Sequence, residues 1–273
     1  MKSIAITSGK GGVGKTNVAV NLGLSLASSG KRVLLFDADM GLANVDILFG
    51  FTAKHNVADV LDQNLHLRDI MVEVSQNMYV LPATSGLLQL DNPSQSELAD
   101  LAKQMDELAK EFDVLLLDTG AGLRDTVFFF SRAAEEVLVI TTPEPTALTD
   151  AYAMIKVLNT TYQIPIVKLL VNEAIDEKEA KQIFNKLANV SKANIDVELT
   201  FAGWVAKDFH LEMAVRKRKP VMLGYPSSPS SQSFQRIAKN FKSIFTNSPK
   251  PLVSGFWQDV LQNRKTNGKR MMA

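Results

Sequence analysis

Gly9-Lys10-Gly11-Gly12-Val13-Gly14-Lys15-Thr16 is the stretch that most narrows what this chain can fold into. It satisfies the G-x-x-x-x-G-K-[ST] spacing. It follows a short β-rich run, Ser3-Ile4-Ala5-Ile6-Thr7, and precedes Val18, Leu22 and Leu26 at helical spacing. Strand, glycine turn and helix in that order make a phosphate-binding loop. The glycines let backbone N–H groups turn inward around phosphate oxygens, and the helix N-terminus adds positive potential. The cradle is expected from Gly11, Gly12, Val13, Gly14, Lys15, Thr16 and Asn17. Within it Lys15 reaches the β- and γ-phosphates, and the Thr16 hydroxyl ligates Mg²⁺.

The rest of the chain repeats the alternation. Arg32 to Phe36, Asp113 to Asp118, Val137 to Ile140 and Ile166 to Val171 are near-continuous apolar runs, with helical patterns at Lys15–Ala27 and Thr126–Ala134. Residues 94–111 add another, with Ser94 as cap and Leu98, Leu101, Met105 and Leu108 on one face. Short runs that are apolar on both faces predict an α/β fold, a doubly wound and mostly parallel sheet with helices on both sides. One such domain is expected over residues 1–246. Residues 247–273 read as a proline linker, an amphipathic helix and a basic tail.

Carboxylates at strand ends are the next candidates, because strand C-termini in an open α/β sheet point at the ligand crevice. Asp37 and Asp39 follow the second run, and at least one of them is expected to face the phosphates and hold the attacking water or a metal-bound water. Asp46 reads equally well as a loop cap. Asp118 ends the third run ahead of Thr119-Gly120-Ala121-Gly122, where it fits as a Mg²⁺ ligand beside a glycine-rich switch that senses the γ-phosphate.

Composition removes several classes of function. Cysteine is absent, which excludes disulfides, cysteine nucleophiles and any metal or iron–sulfur centre held through this chain's thiolates. Lys and Arg number 30 against 29 Asp and Glu, so nothing marks a basic surface throughout, and DNA is not an expected partner. No apolar run approaches the roughly 20 residues that span a bilayer, and the start lacks a signal-peptide pattern, so a cytoplasmic protein is expected. His55, His66 and His210 share no metal-ligand spacing, and Phe128-Phe129-Phe130 reads as core.

With its second lysine at position 10, the loop resembles the deviant Walker A motif of the MinD/ParA group of ATPases. That resemblance implies an ATP-dependent homodimer in which Lys10 reaches the partner's phosphates, with Lys10, Lys15 and Asp39 as the catalytic set. It also implies ATP and Mg²⁺ as ligands. Asn172 would lie beside the adenine, and the loop at Val205-Ala206-Lys207-Asp208 would contact the base through its backbone, where relatives usually carry a proline before the acidic residue. Three longer strings, Asp37 to Leu48, Ser131 to Val139 and Glu144 to Lys156, are similar to the flagellar branch of that group, the FlhG (FleN) family. The branch implies control of flagellar number and placement. Its implied partners are the GTPase FlhF, flagellar switch-complex proteins and a flagellar transcriptional regulator. Many members begin with an Asp-Gln-Ala segment that stimulates FlhF; this sequence starts at the first strand. The resemblance also places Glu144 and Asp150 near the dimer interface and nucleotide. A MinD-type division-site ATPase and a ParA-type DNA-partition ATPase stay open as alternatives.

Beyond the proline linker, Val253, Phe256, Trp257, Val260 and Leu261 form an apolar stripe, followed by Arg264, Lys265, Lys269 and Arg270. Such a helix either lies in the interface of an anionic membrane, with Phe256, Trp257, Val260 and Leu261 inserted, or docks on its own domain. The expected location is therefore the cytoplasm with peripheral attachment to the inner membrane. Residues 247–273, with Lys250 in the linker, carry five positive charges against Asp259 alone, so the near-neutral total conceals a mildly acidic body. Arg216-Lys217-Arg218-Lys219 reads as a solvated helix end.

Overall fold

A computed structural model describes residues 1–39, 44–56, 59–60, 65–82, 100, 103–104, 106–108 and 110–245. Among the described residues there are eight strands, β1 (Lys2–Ser8), β2 (Val33–Ala38), β3 (Val72–Ser75), β4 (Met78–Leu81), β5 (Val114–Ala121), β6 (Glu136–Thr141), β7 (Ile166–Ala174) and β8 (Glu198–Ala206). They form one sheet in the order β3-β4-β2-β5-β1-β6-β7-β8. Every pairing is parallel except the short β3–β4 hairpin at one edge. The doubly wound α/β expectation is met, with that antiparallel hairpin added.

Each apolar strand divides its side chains between two cores, as the two-residue period requires. Ile4, Ile6, Leu35, Leu116, Leu138 and Ile140 face one side, packed under α1 (Lys15–Ser28). Ala5, Leu34, Phe36, Leu115 and Leu117 face the other, beneath α2 (Asp125–Ala133), whose Phe130 packs edge-on against Phe36 at 5.8 Å. Val137 and Val139 continue that second face under α3 (Pro145–Thr160) and α4 (Glu177–Asn194). Phe128 and Phe130 are buried as expected.

The chain builds the β5 side of β1 first and then crosses to the β6 side. The loop after β1 therefore sits where the direction of winding reverses, the position at which open α/β sheets bind ligands. After β8 the chain runs through α5 (Phe209–Arg216) to α6 (Pro229–Lys239), which lies against α1 and β8. The Pro- and Ser-rich stretch from Tyr225, which looks like a break in texture, is the N-terminus of α6: Ser228 caps it and Pro229 opens it. Arg216 to Lys219 are exposed at the end of α5, as a solvated helix end would be. Most of the helix read over residues 94–111, and all of the linker, helix and tail read over 247–273, lie outside the described residues.

Candidate functional site

The phosphate loop is held open by its glycines. Gly12 and Gly14 have φ of 80° and 87°, in the left-handed region that L side chains rarely adopt. Gly14 is also the N-cap of α1, and its carbonyl accepts from the Val18 N–H at 2.9 Å. A Cβ on Gly14 would stand 2.4 Å from Nδ2 of Asn172, which donates to the Val13 carbonyl at 2.8 Å. Lys15 is 8% exposed. Burial lowers its pKa, against the pull of Asp118 and Asp39, and Arg124 adds a smaller push downward. A buried lysine beside two carboxylates and a ring of backbone donors is built to receive an anion.

The carboxylates come from adjacent strands. Asp37 on β2 and Asp118 on β5 are register partners. Burial pushes the Asp118 carboxyl up to about 6, with Asp39 adding to the rise and the Thr16 hydroxyl and Lys15 opposing it. Burial, and then Asp118, push Asp37 up to about 7. Asp37 accepts from the backbone N–H groups of Asp39, Asn44 and Val45 at 3.2, 3.2 and 3.4 Å. The two aspartates thus do different work: Asp37 on β2 pins the ends of the loop, and Asp39, just past the strand, lies close enough to Lys15 and Asp118 to push the pKa of each upward. Gly120 makes room for Asp39, since a Cβ there would lie 3.3 Å from its Oδ1. Behind it the Thr119 hydroxyl donates to the Ile6 carbonyl at 3.0 Å and the Gly122 N–H to that of Ser8, also at 3.0 Å. Those bonds couple the glycine-rich end of β5 to the root of the phosphate loop. Asp46 lies inside the short helix Val45–Phe49, whose N-cap is Asn44, and accepts from the neighbouring Ile47 N–H at 2.7 Å, so it is not the cap that the sequence allowed.

Lys10 points out of its own loop. Its ammonium donates to Oε1 of Glu144 at 2.5 Å and to Oγ1 of Thr146 at 2.8 Å, at the start of α3. Nothing local in the sequence signals that pairing, which spans 134 residues. Gly9 permits the approach, because a Cβ on it would fall 2.0 Å from the Asp150 carbonyl oxygen.

The far end of the site is organised by Asp208. Its carboxylate accepts from the Ser230 hydroxyl at 2.7 Å, the Ser230 N–H at 3.0 Å and the His210 N–H at 2.9 Å, so it ties the starts of α5 and α6 together. The Asp208 side chain is thereby taken up inside the protein. Ala206, also buried, donates its N–H to Ser233 at 3.3 Å. Asn172 is 2% exposed and its Oδ1 has no hydrogen-bond partner among the described residues. Asn17 lies in the first turn of α1, and its carbonyl accepts from Asn21 at 2.8 Å. His66 caps a one-turn helix and His210 sits on Asp208; no His/Asp/Glu cluster fit for a metal occurs among the described residues.

Comparison with known proteins follows the same lines. The family described as ParA, NUBPL iron-transfer P-loop NTPase, matches residues 1–242. The chain belongs to the ParA/MinD family of P-loop NTPases. It is 42% identical over 240 residues to the antiactivator FleN of Pseudomonas aeruginosa, covering 88% of this chain and 86% of that one. It is 37% identical over 238 residues to the flagellum site-determining protein YlxH of Helicobacter pylori, covering 87% and 80%. Its fold matches the septum site-determining protein MinD complexed with Mg-ADP from Pyrococcus horikoshii at a TM-score of 0.69 and 25% identity, over 89% of this chain and 96% of that one. The iron-transfer part of the family description finds no thiolate here, because the chain has no cysteine.

As a member of this family the chain is a P-loop NTPase, and its site suits a magnesium nucleotide. Oδ1 of Asp118 is buried and unpartnered among the described residues, next to the Thr16 hydroxyl, which is the oxygen pair a hard cation takes. No helix among the described residues is long and apolar enough to cross a membrane.

Proposed function

We propose that this chain is an ATP-dependent, dimerising switch ATPase that regulates flagellar number and placement. The observation that carries the reading is the match to FleN along 88% of the chain, with the full phosphate loop in place. YlxH, named for the flagellum site, supports it from a second relative.

In this reading the backbone of Gly11 to Asn17 and the Lys15 ammonium bind the phosphates of ATP. Thr16 and Asp118 would hold Mg²⁺, which supplies charge neutralisation at the phosphate oxygens. Asn172 offers its spare Oδ1 to the exocyclic amine of adenine, and the backbone at Ala206 and Asp208 borders the base. Asp39 orients the attacking water. Attack at the γ-phosphorus breaks its bond to the bridging oxygen, and ADP, inorganic phosphate and a proton leave. Lys10 joins the phosphates of a second copy, so that nucleotide state sets assembly. Residues 1–246 act as the ATPase domain and 247–273 as the element through which the dimer meets inner-membrane lipid. FlhF, switch-complex proteins and a transcriptional regulator are the protein partners this reading expects.

Deletion of the gene in its source bacterium, with flagella counted by electron microscopy, tests the assignment. Extra or misplaced flagella with normal division are expected, and Lys15→Ala should fail to restore the count. Minicells with normal flagella would overturn the reading in favour of a division-site ATPase.

A further inference from the structure

Lys10, Glu144 and Thr146 form a closed triangle of hydrogen bonds. The ammonium donates to both Oε1 of Glu144 and Oγ1 of Thr146, and the Thr146 hydroxyl donates to the same Oε1 at 2.7 Å. The Thr146 hydroxyl accepts from one partner and donates to the other, and the Lys10 side chain, one-third exposed, is drawn onto α3 of its own chain. The place is unusual for a cation. Glu144 is the N-cap of α3 and Pro145 its first residue, so Lys10 sits against a helix N-terminus, where the positive end of the macrodipole repels it. The Glu144 carboxylate is what makes the site acceptable to an ammonium. The Glu144 carboxyl is in turn held below its ordinary pKa by the hydrogen bond from Lys10, so it stays a carboxylate at neutral pH.

We infer that Glu144 and Thr146 are positioning residues that latch Lys10 in cis, and that joining a second copy requires the ammonium to exchange this carboxylate for the partner's phosphates. The inference rests on the dimerising reading of Lys10 above. The latch raises the protein concentration at which two nucleotide-loaded copies associate. Two features keep it weak enough to open. The Glu144 side chain is 55% exposed, so water and salt screen the pair, whereas a triphosphate brings more charge. Loss of the carboxylate leaves Lys10 facing the dipole alone, which expels it towards solvent.

The experiment measures the dimer dissociation constant of the full chain with Mg²⁺ and AMP-PNP by sedimentation, for wild type, Glu144→Gln, Thr146→Val and Lys10→Ala. Glu144→Gln keeps the shape and removes the charge. It is expected to tighten the dimer about three- to fivefold at low salt, the range that an exposed ion pair supplies. Thr146→Val should shift it in the same direction by less. The gain should shrink in 1 M salt, where the screening length falls to about 3 Å, which a packing effect would not do. Lys10→Ala should not dimerise. If Glu144→Gln and Thr146→Val leave the dimer unchanged or weaken it while Lys10→Ala abolishes it, the latch is wrong and the trans role of Lys10 stands. If Lys10→Ala dimerises like wild type, the trans role itself fails. Should Glu144→Gln not fold, Thr146→Val alone decides between tightening and no change.

Discussion

Asn172, at the end of β7, donates a 2.8 Å hydrogen bond from Nδ2 to the carbonyl of Val13, 159 residues earlier in the chain. One side chain thus ties the β7 end of the crevice to the crown of the phosphate loop. It also stands where a Cβ on Gly14 would go, 2.4 Å away. Asn172→Ala would leave the Val13 carbonyl without this donor in a buried setting, at a cost of about 1–3 kcal/mol. Urea unfolding should show that loss in the nucleotide-free protein, and ATP affinity should fall with it. Gly14→Ala, strained in both φ and contact, should lose nucleotide binding outright. Wild-type stability in Asn172→Ala would show that the bond does not hold the loop.

The Asp37–Asp118 pair makes stability depend on pH in an unusual direction. Both carboxyls are raised in the folded chain, to about 7 and about 6, chiefly by burial. The native state therefore binds more protons than the unfolded chain between about pH 4 and 7. The pair's contribution to stability is greatest below that window and is lost as pH rises through it. Each tenfold change in proton affinity is worth about 1.4 kcal/mol, so Asp37, raised from 3.8 to about 7, accounts for on the order of 4–5 kcal/mol. Urea midpoints of the nucleotide-free chain at pH 5.5 and pH 8 should differ in that sense. Asp37→Asn, which does not titrate but has one oxygen for bonds that Asp37 takes on two, should flatten the profile at some cost in overall stability. Equal slopes for wild type and variant would remove Asp37 as the cause.

The sheet and the phosphate site were legible because they are written locally. The turn glycines lie in one octapeptide, and the strands are runs whose alternate residues fill two cores, as Leu34, Leu35 and Phe36 do. The β3–β4 hairpin was missed because Val72–Ser75 and Met78–Leu81 are four residues each, too short for a period to declare itself. β8 was missed for a different reason. Glu198–Ala206 is an edge strand with a Gly203 at φ 130° and a register shift, so neither alternation nor a continuous apolar run survives. The links that finish the site join distant segments: Lys10 to Glu144, Asn172 to Val13, Asp208 to Ser230. No spacing rule reaches across them.

Asp208 carries a structural load that a loop contact to a base does not suggest. Burial pushes its carboxyl up, but hydrogen bonds from Ser230 and His210 outweigh that push and hold it well below the ordinary range. Asp208→Ala should cost about 2–4 kcal/mol, one helix cap plus the unpaired Ser230 donors. A depressed carboxyl contributes its stability above about pH 4 and gives it up only as pH falls below that, the reverse of Asp37. Acid unfolding of wild type against Asp208→Asn, followed by circular dichroism, checks the sign.

Lys15 and Asp39 should separate binding from turnover. Lys15 is the buried cation of the loop, and Lys15→Ala should abolish ATP binding in a fluorescent-nucleotide titration. Asp39 lies against Gly120 and acts on Lys15, so Asp39→Ala should bind ATP, hydrolyse it at least about a hundredfold more slowly, and persist as a dimer. Wild-type turnover by Asp39→Ala would count heavily against its role.

The tail gives the last prediction, and it follows from sequence. Phe256 and Trp257 lie on an apolar stripe that also holds Val253, Val260 and Leu261, and four basic residues follow at 264, 265, 269 and 270. An interfacial helix draws about 1 kcal/mol from each basic residue near an anionic surface, and more from the buried aromatics. A single copy binds weakly by that sum, whereas a dimer brings two tails to one surface, so attachment should follow nucleotide state. Sedimentation with phosphatidylglycerol-containing vesicles should retain the full chain with ATP and release it with ADP. Truncation after Pro251 should abolish retention and leave ATP hydrolysis in solution intact. Undiminished vesicle binding by the truncated chain would place the lipid contact on the ATPase body instead, where Arg216 to Lys219 would be the next residues to neutralise.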